Sequence, residues 1–112
     1  MFNLFSSSAD TRKVLVSGIQ ATGKLHFGNY FGAMKQNIDL PNSGEYESYV
    51  FIADYHALTT VKNKDAMLQT VQEIVAAYVA CGLDTSQAAL FKQSDVPEHT
   101  ELFAILNNVV TM

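Results

Sequence analysis

The sequence contains little that would support a secreted or membrane-spanning protein. It has one cysteine among 112 residues, so no disulfide can form within the chain. Cys81 lies in an apolar segment, which predicts a buried, unreactive thiol. No apolar run approaches the roughly 18 residues of a membrane span, and residues 1–8 lack the charged and apolar regions of a secretory signal. We therefore expect a cytoplasmic protein with no membrane association.

Basic residues are also few. Lysine and arginine together number 7 against 11 acidic residues, which gives a net charge of −4. The basic residues are scattered, whereas proteins that follow a nucleic-acid backbone carry a basic patch or stripe. Any RNA contact is therefore expected to be local, or to be made by regions outside this chain.

Strand-like and helix-like segments alternate along the chain. Short apolar runs predict strands at residues 13–18, 49–53 and 89–92, and helical spacing predicts helices at 25–40, at 65–82 and from 95 onward. The run Pro41-Asn42-Ser43-Gly44 is expected to stop the first helix, and Gly82 is expected to cap the second. Asp95 is predicted to be the N-cap of the third helix, with Glu98 in the capping-box position. This helix is expected to continue past Asn108.

This order of elements is that of the first half of a doubly wound, Rossmann-like parallel α/β sheet, β-α-β-α-β-α. Residues 13–112 would form it as a single unit, behind a flexible leader at 1–12. The second strand is expected to lie between the other two. Ligands in such sheets bind beyond the carboxyl ends of the strands, where this sequence places polar groups around residues 18–20, 54–56 and 93–95.

The segment SGIQATGKLHFGN, residues 17–29, is open to two interpretations. Gly18-x-x-x-x-Gly23-Lys24 matches the phosphate-binding loop of P-loop NTPases except at its last position, where Leu25 replaces the Ser or Thr that holds Mg²⁺. The apolar run that ends at Asp54 resembles a Walker B strand. A P-loop NTPase or phosphotransferase is therefore one hypothesis, with Lys24 as its phosphate contact.

In the second interpretation, the nucleotide binds at the start of the first helix. Free N–H groups and the positive end of the helix dipole attract phosphate there. His26 and Asn29 can donate hydrogen bonds to a transferring phosphoryl group, and Gly28 leaves room for the nucleotide. The alternative is structural: His26 would only cap the helix, and Gly28 with Gly32 would allow close packing.

Family resemblance favours the second interpretation. Residues 17–35 resemble the signature of class I aminoacyl-tRNA synthetases in the tryptophanyl form, whose HIGH motif ends in Gly-Asn. The segments DYHALT at 54–59, YVACGLD at 78–84 and FKQSDVPEH at 91–99 resemble the same family in order and spacing. The matched segments span nearly the whole chain from Lys13 onward.

The resemblance implies a HUP-type catalytic domain that activates L-tryptophan with ATP and Mg²⁺ and then charges tRNA(Trp), as a homodimer in the intact enzyme. It assigns no metal site to this chain. Catalytic roles carry over to His26 and Asn29. ATP contacts carry over to Gln20, Ala21, Thr22, Gly28 and Asn29. The residues that match positions lining the amino-acid pocket are Val16, Gly18, Gln20, Ala53 and His56.

Val16 and Gly18 alternate along the first strand, which predicts that they face one side and form an apolar floor for a flat ring. Asp54 is expected to anchor the His56 loop or cap the next segment.

The chain contains no KMSKS segment, which in this family follows in the second half of the fold. We therefore expect the chain to be the amino-terminal part of a longer synthetase, with tRNA bound by other regions. A non-catalytic binding module is the third functional hypothesis.

Overall fold

A computed structural model describes residues 11–110 of the chain. Most of the leader predicted at 1–12 therefore lies outside the described residues. The described part contains three strands, four helices and a short 3-10 turn. In chain order they are β1 Lys13–Gln20; α1, made of the consecutive segments Phe27–Asn29, Tyr30–Met34 (π-helical) and Lys35–Asn42; β2 Tyr46–Ala53; α2 Asp54–Ala57; α3 Lys64–Ala80; β3 Ala88–Lys92; the 3-10 turn Gln93–Asp95; and α4 Glu98–Asn107.

The three strands form one parallel sheet in the order β1-β2-β3, which confirms the predicted α/β fold with β2 in the centre. In the pairing register, Val16 lies beside Tyr49 and Gly18 beside Phe51, which in turn lies beside Phe91. Because side chains alternate along a strand, these five residues share one face of the sheet. This face carries the cavity described below.

The hydrophobic core lies on the opposite face, under α1 and α3. Its members are buried apolar side chains of β1, β2, α1 and α3, including Ile19, Val50, Ile52, Met34, Ile38, Val71, Ile74 and Tyr78. A hydrogen bond joins the two helices within this core, since the Asn37 side-chain amide donates to the Tyr78 hydroxyl at 3.0 Å. Burial raises the pKa of the Tyr78 phenol above its usual value. The core thus fixes α1 relative to the sheet, and with it the loop that follows β1.

Strand and helix ends differ from the predictions where tertiary contacts decide them. β1 continues past Gly18 to Gln20, because the ladder with β2 runs on to the pair Gln20 and Ala53. The first helix ends at Asn42, within the predicted run Pro41–Gly44, and Pro41 itself is buried in its last turn. The N–H of Ser43 then donates to the carbonyls of Asp39 and Leu40 at the helix end.

The predicted cap of the last helix is wrong. The Asp95 carboxylate accepts the Lys92 N–H at 3.2 Å and pairs with the Lys92 ammonium at 3.0 Å, so it is engaged within the 3-10 turn. Its hydrogen bond to the Lys92 side chain lowers the pKa of Asp95. α4 begins at Glu98 and ends at Asn107, so the expected continuation past Asn108 is also wrong.

The two predictions about α3 have opposite outcomes. Gly82 follows this helix with φ at +98°, a left-handed conformation that suits glycine, so the predicted C-terminal cap is confirmed. Cys81 is exposed rather than buried, because it caps the helix end on the solvent side. Between residues 11 and 110, none of the helices has the length and apolar character needed to cross a bilayer.

Candidate functional site

His26 ends the loop after β1 and caps the start of α1. Its backbone is extended, with φ −143° and ψ 173°, and its Nδ1 accepts the N–H of Gly28 at 3.1 Å. Asn29 completes a reciprocal cap, since its Oδ1 accepts the N–H of His26 at 3.0 Å. The structural role considered for His26, a helix cap, is therefore present in the fold.

This cap also decides which atoms of His26 and Asn29 can donate. Because Nδ1 of His26 accepts a hydrogen bond, the proton of the neutral imidazole lies on Nε2, which is then the donor of the ring. Because Oδ1 of Asn29 accepts the His26 N–H, its Nδ2 amide is the group that can donate outward. His26 is exposed and Asn29 is half-buried, at the start of the same helix. Capping therefore leaves a side-chain donor on each of these two residues beside the first turn of α1.

Gly28 is required by the His26 ring. A Cβ added at Gly28 would lie 2.9 Å from Cε1 and 3.0 Å from Nδ1 of His26, closer than carbon side chains approach. By contrast, a Cβ at Gly32 would meet no atom within 4 Å, so the proposed close packing at Gly28 and Gly32 is wrong for Gly32. Gly23 is favoured for its backbone conformation, because the loop turns there with φ at +69°, a left-handed value that suits glycine.

The loop between β1 and α1 does not have the form of a phosphate-binding P-loop. Gly18 and Gln20 belong to β1, so the first half of the glycine motif is paired strand. Leu25 packs against the hydrophobic core. Of the predicted ATP contacts in this region, Gln20 is exposed at the end of β1 and Thr22 is half-buried. Ala21 has no exposed surface, so neither its side chain nor its backbone is accessible to a ligand in this conformation.

An apolar cavity of about 890 Å³ lies on the sheet face opposite the core, between the strands and α4. Val16 lines it. The role predicted for Val16, as part of the floor of an amino-acid pocket, stays a prediction. Gly18 lies under the Phe51 ring, where an added Cβ would approach the ring to 2.7 Å. The register places Ala53 on the same face, at the end of β2. His56 is exposed on α2 and is not among the residues that line the cavity.

Sequence reasoning missed most of the side chains around this cavity. These residues, most of them aromatic or polar, come from β2, α2, β3 and the segment from the 3-10 turn into α4, namely Tyr49, Phe51, Tyr55, Phe91, Gln93, Val96, His99, Thr100 and Phe103. The alternation of Tyr49, Phe51 and Ala53 along β2 was a usable signal for the shared face. The contribution of α4 had no such signal, because it depends on how this helix folds back over the sheet.

Asp54 joins the ends of two strands. Its carboxylate accepts the N–H of Tyr55 at 3.0 Å and the N–H of Ser94 at 3.1 Å, and it also accepts the Ser94 hydroxyl. The expected role as an anchor is thus met through Ser94 and not through the His56 loop. The Asp54 carboxylate is thus held by donors from the ends of β2 and β3.

Comparison with protein families gives a match over residues 8–112 to the family described as tRNA synthetases class I (W and Y). The tryptophan–tRNA ligase of Fusobacterium nucleatum is 51% identical over 94 residues, which cover 84% of this chain and 28% of that protein. The chain thus spans little more than a quarter of the length of this relative.

Solved structures show the same fold. A tryptophanyl-tRNA synthetase from Campylobacter jejuni, complexed with ADP and tryptophan, superimposes with a TM-score of 0.77 at 37% identity and covers 88% of this chain and 30% of its own. The tryptophanyl-tRNA synthetase of Mycoplasma pneumoniae has a TM-score of 0.80 at 36% identity, over 89% of this chain and 28% of its own.

Proposed function

Because this chain belongs to the class I tRNA synthetases of the tryptophan and tyrosine type, we propose that the full-length enzyme activates L-tryptophan with ATP and charges tRNA(Trp). Tryptophan is favoured over tyrosine by the identity of 51% to a tryptophan–tRNA ligase. The observation that carries the proposal is the His26, Gly28 and Asn29 cap, which follows β1 after the loop 21–25. One face of β1 lines an apolar cavity. Residues 13–112 would form the amino-terminal half of the catalytic domain.

In the proposed reaction, a carboxylate oxygen of tryptophan attacks the α-phosphorus of ATP. A C–O–P bond forms, the bond between the α-phosphorus and the bridging oxygen breaks, and pyrophosphate leaves with the electron pair. A hydroxyl at the acceptor end of the tRNA then attacks the activated carbonyl, and AMP leaves. Because the phosphoryl oxygens gain charge during the first step, fixed donors around them lower its barrier.

The cap of α1 supplies such donors. Nε2–H of His26 and Nδ2–H of Asn29 would donate to phosphate oxygens, and the N–H groups of the first turn add their dipoles. The missing side chain of Gly28 keeps the imidazole in this position. Gln20 and Thr22 would border the ATP and the polar end of the amino acid, and Ala21 lies buried between them.

The cavity on the open sheet face would hold the amino acid. Val16, Gly18 and Ala53 lie on this face and present a largely apolar floor to a flat ring. His56 follows β2 by three residues and would contact the amino acid at the rim. The apolar lining suits the indole ring, whose burial supplies much of the binding free energy.

The remaining partners follow from the reaction. Within residues 11–110, no three His, Cys, Asp or Glu side chains gather as a metal-binding group. Mg²⁺ would therefore enter on the ATP phosphates. The tRNA would be bound by regions outside these residues. We further propose that the enzyme is a homodimer and acts in the cytoplasm, where tRNA is charged.

The test is tryptophan-dependent exchange of labelled pyrophosphate into ATP by the full-length enzyme, with tyrosine as the control substrate. Exchange with tryptophan alone is expected. A Gly28→Val, Asn29→Ala double variant should lose it, whereas Lys24→Ala should retain most of it. Loss of nucleotide binding in Lys24→Ala alone would favour a P-loop enzyme, and ATP chemistry that is independent of any amino acid would contradict the proposal.

A further inference from the structure

Phe51 takes up the space above Gly18 on the sheet face that carries the cavity. The two residues pair in the register of β1 and β2. A Cβ added at Gly18 would lie 2.7 Å from Cε2 and Cζ and 2.9 Å from Cε1 of the Phe51 ring. These are the outer atoms of the ring, so the ring extends from β2 over β1. Phe51 lines the cavity, whereas Gly18 is not among its lining residues. The missing side chain of Gly18 therefore makes room for an aromatic ring from the neighbouring strand.

The same ring has a second contact, on β3. Phe91 pairs with Phe51 in the register of β2 and β3, and their ring centroids are 6.1 Å apart with the planes inclined by 36°. Aromatic rings at such distances attract each other beyond the burial of their area. Phe51 is half-buried and part of the cavity wall, so some of its surface is open to a molecule in the cavity. Contacts with β1 and β3 thus fix the orientation of an accessible ring.

The depth of Phe51 in the cavity follows from the strand register. The last pair of the β1–β2 ladder is Gln20 and Ala53, at the edge of the sheet where the proposed ATP donors follow β1. Gly18 and Phe51 form the next pair on the same face, two residues or about 7 Å deeper. In the proposed function the carboxylate of the amino acid meets ATP beyond the strand ends. Its side chain then lies back over the strands, at the level of Phe51.

We propose that the Phe51 ring stacks on the aromatic side chain of the bound amino acid and so contributes to its selection. Gly18 is then a positioning residue, which serves the pocket by leaving room for this ring. The inference rests on the proposed function, since it takes tryptophan as the ligand of the cavity. An offset or edge-to-face pair of rings adds binding free energy to that of apolar burial, and an aliphatic wall would not supply it.

The primary experiment uses Phe51→Leu in the full-length enzyme, because leucine keeps an apolar wall and removes the ring. The dissociation constant and KM for tryptophan should rise about three- to tenfold, while kcat and the KM for ATP stay nearly unchanged. Phe31→Leu is the matched control, because Phe31 is 69% exposed on α1 and does not line the cavity; it should change none of these values. Thermal melting checks that each variant is folded, and Phe51→Ile, with its higher strand propensity, replaces Phe51→Leu if the latter does not fold.

A double-mutant cycle tests the role of Gly18. Gly18→Ala should raise the dissociation constant for tryptophan, because the added Cβ displaces the Phe51 ring. In the Phe51→Leu background the outer ring atoms are gone, so adding Gly18→Ala should change this constant by less than about twofold. An equal loss in both backgrounds would mean that Gly18 contacts the ligand directly, and it would overturn the positioning role.

A third comparison separates stacking from mere volume. Fluorine atoms on the indole ring of tryptophan change its electron distribution with little change in size. If Phe51 stacks on the indole, the loss of affinity in Phe51→Leu should vary with the number of fluorine atoms. A loss that is constant across the series would overturn the inference, as would a folded Phe51→Leu enzyme with unchanged tryptophan affinity. A wild-type enzyme without tryptophan-dependent exchange would instead refute the proposed function itself.

Discussion

Replacement of Gly28 by alanine should separate activity from stability. The new Cβ would lie 2.9 Å from Cε1 and 3.0 Å from Nδ1 of His26, so the imidazole must rotate away. That movement breaks the hydrogen bond of 3.1 Å between the Gly28 N–H and Nδ1. Nε2 of His26 then loses the fixed position from which it would donate to a phosphate oxygen.

Two opposing effects set the stability of this variant. Loss of an N-cap contact costs about 1 kcal/mol, whereas alanine in place of glycine in a helix contributes about 1 kcal/mol. The free energy of unfolding should therefore change by less than about 1 kcal/mol. Loss of a preorganised donor in the transition state typically costs about 100-fold or more in rate. Pyrophosphate exchange should fall by about that factor while the melting temperature stays nearly constant.

The matched control is Gly32→Ala in the same helix. A Cβ there would meet nothing within 4 Å, so the variant should be as active as the wild type and slightly more stable. The measurements are exchange kinetics, thermal melting and the ¹⁵N shifts of the His26 ring, which report its tautomer. If Gly28→Ala kept its exchange rate within about twofold and an unchanged ring tautomer, the proposed positioning of His26 would be refuted.

Three further predictions concern the sheet and the core. Gly18→Ala should lower the free energy of unfolding by about 1–3 kcal/mol in chemical denaturation, because its Cβ would meet the Phe51 ring at 2.7 Å; an unchanged midpoint would contradict this contact. Tyr78→Phe should cost about 1–3 kcal/mol, since it leaves the buried Asn37 amide unpaired. Burial raises the pKa of Tyr78 above its unfolded value of about 10, so the protonated phenol stabilises the folded state. This stabilisation is fully present below the unfolded pKa and is lost as the pH rises through the folded pKa. The melting temperature of Tyr78→Phe should therefore decline less than that of the wild type at alkaline pH. The 112-residue chain by itself should self-associate through the open sheet face and the edge strand β1, where Val16 is 63% exposed; a monomer in sedimentation experiments that melts cooperatively would refute this.

The sequence by itself determined the fold class and the family. Apolar runs and helical spacing are local properties, so they identified the three strands and the helices α1, α3 and α4, although not the short helix α2 at Asp54–Ala57. The motif of His26, Gly28 and Asn29 could also be identified from the sequence, because its residues lie within four positions of one another. The ordered segments at 54–59 and 91–99 then distinguished a synthetase from a P-loop enzyme, although Gly23 and Lys24 fit both patterns.

Only the tertiary structure decided which groups meet across the sheet. The reason for Gly28 is the His26 ring two residues away, a contact that depends on the side-chain conformation of the cap. The pairing of Asp54 with Ser94 joins residues 40 positions apart, and local propensity predicts such contacts poorly. The buried Gln93 side-chain carbonyl, which has no hydrogen-bond partner among residues 11–110, is also visible only in the folded chain, because burial and pairing depend on everything packed around that atom.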